Sequence, residues 1–111
     1  MAETREYPFP HAPNDWSPDQ GREVARAEGL DLTGDHWEAV RALQEYFARH
    51  GEQPVINMRE LHDALDEKFH IKGGMRYLYQ LFPKGPVAQG CRISGLKVPA
   101  GAVDRSFGSV V

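Results

Sequence analysis

Between Thr33 and Gly51 the chain repeats apolar residues at Trp37, Val40, Leu43 and Phe47, at spacings of three, three and four. That interval matches the 3.6-residue turn of an α-helix and puts the four side chains on one stripe. Such a stripe has to be buried against another element, so residues 34–50 predict one helix of a packed bundle. Thr33 stands at its N-cap position, and Asp35 lies in the first turn, where a carboxylate meets the positive end of the helix dipole. Gly51 closes it.

The same period recurs downstream. Met58, Leu61, Leu65 and Phe69 share a face behind Asn57, a capping residue. Gly73 and Gly74 break the chain before a fourth helix, about 75–82, with Leu78, Leu81 and Phe82 facing inward. Pro83 and Gly85 make a turn, and Pro86 opens a fifth helix that ends near Gly95. Upstream, a first helix over about 19–28 stops at Gly29. Residues 1–18 hold Pro8, Pro10, Pro13 and Pro18 without a period and read as an irregular N-terminal arm. The tail 96–111, with Pro99, Gly101 and Gly108, reads as a mobile arm, leaving 19–95 as the helical domain. No strand alternation or internal repeat appears. The expectation is an all-α protein, a small orthogonal bundle of about five helices. Its core is expected to hold Trp37, Val40, Leu43, Phe47, Leu61, Leu65, Leu78 and Leu81.

Composition narrows the function classes. A chain of 111 residues supports one domain with a modest core. Its net charge of −3 supplies no global attraction to nucleic acid. No apolar run approaches the roughly 18 residues of a membrane span. The charged start, Met1 to Glu6, lacks the apolar core of a signal peptide. The single cysteine fits a reducing compartment. The expectation is a cytoplasmic monomer with no membrane partner.

Cys91 is the first candidate for chemistry, because a thiolate is the nucleophile that accepts or donates sulfane sulfur. Arg92, Lys84 and Lys97 are near it in sequence and would favour ionisation. A second reading stands beside the first: Val87 and Cys91 are four apart, and a free cysteine on a helix often packs as a small hydrophobe. His62 and His70 are eight apart with no third ligand at metal spacing, so no metal is expected. The carboxylates, Glu28 among them, are scattered along expected solvent faces, and no acid/base couple stands out. The pair of helices 57–69 and 75–82 has helix-turn-helix spacing, but its second helix carries only Arg76 as a cation, poor equipment for phosphate. Tyr77, Tyr79 and Phe82 there suit a core or a protein-docking surface.

Arg76-Tyr77-Leu78-Tyr79-Gln80-Leu81-Phe82-Pro83-Lys84-Gly85-Pro86, then Gly90-Cys91-Arg92-Ile93-Ser94-Gly95-Leu96, then Pro99-Ala100-Gly101-Ala102-Val103 form a dense signature. It resembles the C-terminal part of the DsrC/TusE/DsvC sulfur-relay family, the gamma-subunit-like proteins of dissimilatory sulfite reductase. Asp15-Trp16 and His36-Trp37 match further pairs of that family, whose members usually carry a longer segment with a β-hairpin before the first pair. The resemblance implies a helical fold and a part in sulfur transfer or sulfur metabolism. It also implies docking to a sulfite-reductase-like or tRNA 2-thiouridine-forming complex. In the family, a cysteine on a helix is followed by a mobile arm whose penultimate cysteine carries persulfide. Here Ala102 occupies the arm position, eleven residues after Cys91, and Asp104 to Val111 run past the usual end. Cys91 is thus the only candidate sulfur-accepting thiol. Arg76, Tyr77, Tyr79, Lys84 and Arg92 are the candidates for partner docking or thiolate stabilisation. The resemblance implies a sulfur-carrier component at most, not a stand-alone enzyme, and no cofactor. The alternatives are a non-catalytic regulatory or interaction paralogue, and a helix-turn-helix DNA-binding regulator.

Overall fold

A computed structural model of the chain describes residues 9–50, 56–99 and 102. Among them run α1 (Pro18–Ala27), α2 (Gly34–His50), α3 (Met58–Lys68), α4 (Gly74–Leu81) and α5 (Pro86–Ser94). A 3₁₀ turn, His70–Lys72, separates α3 from α4, and no strand occurs among the described residues. The fold is all-α, as the periodicity implies.

Local chemistry sets each boundary. α1 begins a residue earlier than expected, with Pro18 in the first turn behind a complete capping box. There the Ser17 hydroxyl accepts from the Gln20 N–H at 3.4 Å, and Gln20 Oε1 accepts from the Ser17 N–H at 3.0 Å. At α2 the Thr33 carbonyl accepts the first helical bond from Trp37, and His36, three residues into the box, takes the part usually played by Glu or Gln. Its Nδ1 accepts from the Thr33 N–H at 2.9 Å, and its Nε2 lies 2.8 Å from the Leu81 carbonyl. An amide N–H can only donate and a carbonyl can only accept, so the imidazole is the neutral Nε2–H tautomer. One buried side chain thus caps the start of α2 and holds the last turn of α4.

Asn57 caps α3 by accepting from the Glu60 N–H at 3.1 Å. α4 is capped from outside itself: Asp66 Oδ1 accepts from the Met75 N–H at 2.8 Å. A Cβ at position 74 would stand 2.2 Å from that oxygen, and Gly74 has a φ of +65°, so only glycine fits.

α5 lies at the centre, against α2 and α1, while α3 packs on α4. Seven of the eight expected core residues are buried, and Phe47 is half-buried at the rim. Phe69, Phe82, Val87, Cys91 and Ile93 extend the same cluster. Burying a large aliphatic or aromatic side chain contributes about 1.5–3 kcal/mol, so these faces dominate the fold's stability. Phe9 makes edge-to-face contacts with Trp16 and Trp37, which pins the described part of the N-terminal arm. Leu96 and Val98 pack half-buried on the core, and Ala102 is buried. The expectations for residues 1–8 and for the remainder of the tail fall outside the described residues. No helix among the described residues is long and apolar enough to cross a membrane.

Candidate functional site

Every residue of α5 except Arg92 is buried. A helix covered on all sides needs neighbours that approach closely, and Gly90 permits this: a Cβ there would meet Leu43 Cδ1 of α2 at 2.6 Å. The end of α5 is closed by side chains from distant parts of the chain. Trp16 Nε1 donates to the Ile93 carbonyl at 2.7 Å, and Gln44 Nε2 donates to the Ser94 carbonyl at 2.9 Å. The Ser94 hydroxyl donates back to the Gly90 carbonyl at 2.6 Å. Gly95 then turns the chain out at φ +78°, and the Leu96 N–H reaches the Cys91 carbonyl at 2.9 Å, a Schellman-type ending. A Cβ on Gly95 would collide with Trp16, so the indole and the glycine define together where the C-terminal arm leaves.

Cys91 has no exposed surface. Burial pushes its thiol up to about 12, and the nearby Arg92 guanidinium offsets only part of that. The Arg92 guanidinium is engaged by a carboxylate: its Nε and Nη2 donate to the two oxygens of Glu28 at 2.7 and 3.0 Å. Glu28 also accepts from Gln89 Nε2 at 2.9 Å. These bonds, Arg92's first, hold the Glu28 carboxyl below the usual carboxylate range despite its partial burial. Glu28 is therefore no solvent-face residue but the tie between α1 and α5. At neutral pH the site holds a protonated thiol beneath an ion pair.

The other candidates stand apart. The Lys84 N–H donates to Gln89 Oε1 at 3.2 Å, and the Lys84 charge acts on Glu28 rather than on Cys91. The Tyr77 hydroxyl donates to Asp35, which also takes Lys72 Nζ at 2.8 Å. Arg76 and Tyr79 are exposed on α4. No group of His, Cys, Asp and Glu that could hold a metal stands together among the described residues. Sequence reasoning missed Gln44 and Glu28. The signal for Gln44 was present, since it sits four residues after Val40 and three before Phe47, a polar side chain on the apolar face. Glu28, beside a helix-ending glycine, carried none.

Fold and site define a small all-helical protein whose buried cysteine helix leads into a C-terminal arm. Residues 1–103 match the family model described as DsrC like protein. The sulfurtransferase TusE of Salmonella paratyphi A is 42% identical over 85 residues, 76% of each chain. That of Escherichia coli K12 is 41% identical over the same share of both chains. The solution structure of Allochromatium vinosum DsrC superimposes with a TM-score of 0.66 at 40% identity, covering 81% of this chain and 80% of that one. The chain belongs to the DsrC-like family of sulfur-relay proteins.

Proposed function

We propose that this protein works in sulfur transfer by docking onto a sulfur-relay complex, not by carrying sulfur on its own arm. A tRNA 2-thiouridine-forming complex in the cytoplasm fits the TusE relatives, and a sulfite-reductase-like complex fits the DsrC neighbour. The full burial of Cys91, the chain's one thiol, carries the reading. Sulfane-sulfur uptake requires a thiolate to attack the outer sulfur of a donor persulfide, forming a cysteine persulfide and releasing the donor's thiolate. Cys91 offers neither access nor ionisation, and Ala102, itself buried, has no nucleophile. Arg76, Tyr77, Tyr79 and Lys84 remain as docking candidates, and Arg92 serves to hold Glu28. The second reading, relay through Cys91, is favoured by family membership and requires α5 to open in the complex.

Intact-mass measurement tests this. Incubated with a persulfide donor at neutral pH, the folded protein should gain no mass, while the unfolded chain gains one sulfur atom. Native uptake by the wild-type chain, abolished in Cys91→Ser, would transfer the case to the relay reading.

A further inference from the structure

Residues 9–16 and the start of the C-terminal arm meet at the end of α5. The capping box at Ser17 closes α1 without help from the segment before it. Within that segment the backbone bonds are local: the Ala12 N–H donates to the Phe9 carbonyl at 3.2 Å, and the Trp16 N–H to the Pro13 carbonyl at 3.1 Å. Among the described residues, its one hydrogen bond to the helices is that from Trp16 Nε1 to the Ile93 carbonyl. Phe9 supplies the other anchor, edge to face with Trp16 at 5.0 Å and with Trp37 at 5.7 Å.

The arm is held in the same way. The Leu96 N–H to the Cys91 carbonyl is the last described hydrogen bond joining it to the helices, and the Ala102 N–H turns back to the Pro99 carbonyl inside the arm. Leu96 and Val98, half-buried, and Ala102, buried, fix it by apolar contact. Trp16 links the two segments. A Cβ at Gly95 would stand 2.6 Å from Trp16 Cδ1, and one at Gly21 3.2 Å from Trp16 Cζ2. The indole is thus wedged between α1 and the turn that launches the arm.

We propose that residues 9–16 are a releasable strap latched by Trp16, and that strap and arm leave the end of α5 as one unit while α2, α3 and α4 stay folded. Those three helices bury Leu43, Leu61, Leu65 and Leu78 completely, so opening them costs the main core. Release of strap and arm gives up one indole hydrogen bond, the Phe9 ring contacts and the burial of Leu96, Val98 and Ala102. Segments with so few bonds to the body open well below the free energy of global unfolding. The coupling is reciprocal: without the indole the Ile93 carbonyl loses its donor and Gly95 its neighbour, and without the arm the indole loses the turn it packs on. The device gives a closed state and an open one that offers the arm to a partner. It acts whether or not Cys91 carries sulfur, so it stands apart from the docking reading.

Native-state hydrogen exchange followed by NMR on the full chain tests it, because the Trp16 indole N–H and the Leu96 amide report the two segments separately. In the wild type both should show the same protection, lower than that of the Leu43, Leu65 and Leu78 amides. Phe9→Ala should speed exchange at Trp16 Nε1 and Leu96 together by about tenfold and leave the core amides within about twofold. Phe9→Leu, which keeps an apolar side chain, should give a smaller rise at the same two groups. Val98→Ser in the arm should speed the Trp16 indole in return. Equal acceleration at every group, core included, would make the strap part of the global unit and overturn the proposal. Acceleration of the indole with Leu96 unmoved would overturn the coupling, and no acceleration at either would overturn the latch.

Discussion

Alkylation of Cys91 in the folded protein should be about a thousandfold slower than in the unfolded chain, on ionisation alone. Only the thiolate reacts with iodoacetamide. At pH 8 a thiol of ordinary value 9.0 is about one-tenth ionised, whereas one raised to about 12 is about one ten-thousandth ionised. Access sets a separate limit, because a side chain with no exposed surface reacts only after α5 moves away from α2 and α1. Labelling through an open form that recovers the ordinary thiol is slowed tenfold for each ~1.4 kcal/mol of opening free energy, so a thousandfold slowing corresponds to about 4 kcal/mol of opening. Quenched intact-mass time courses, native against denatured, read the ratio directly. Trp16→Phe supplies the internal check: it leaves the Ile93 carbonyl without its indole donor, so native labelling should accelerate while the denatured rate stays unchanged. Native labelling within about tenfold of the denatured rate would refute both the burial and the ionisation argument.

Gly90→Ala sets helix propensity, worth about 1 kcal/mol in favour of alanine, against a methyl placed 2.6 Å from Leu43 Cδ1, where overpacking costs about 1–3 kcal/mol. Denaturant melts should show net destabilisation in the wild-type background and stabilisation in Leu43→Ala, where the space exists. Glu28→Gln should cost about 1–2 kcal/mol at pH 7 by weakening charge-assisted bonds to Arg92. Because the Glu28 carboxyl is lowered in the folded state, its contribution is present above the unfolded carboxylate range and disappears as pH falls through the folded value. The difference in Tm between wild type and variant should therefore narrow on acidification; a constant or widening gap would show that the ion pair is not its source. Trp37→Ala should cost about 3–5 kcal/mol, checked by the same melts, since the indole is almost fully buried.

Helices 34–50, 58–68, 74–81 and 86–94 were legible to within a residue or two because their information is local. Apolar residues at turn spacing, a capping Asn57 and glycine or proline at the breaks act within a few residues of the structure they produce. The signature around Cys91 likewise named the family, since it is a run of identities that needs no third dimension. The state of that cysteine was a different matter. Sequence spacing left an exposed relay thiol and a packed hydrophobe side by side, and the flanking Arg92, Lys84 and Lys97 looked like cations available to a thiolate. Tertiary structure decided between them through residues far away in the chain. Leu43 presses into the space that Gly90 leaves, Trp16 and Gln44 close the end of α5, and Glu28, 64 positions before Arg92, takes the guanidinium. Desolvation and pairing depend on which groups the packed helices bring within a few ångströms, a quantity set by the meeting of distant segments and carried by none of them alone.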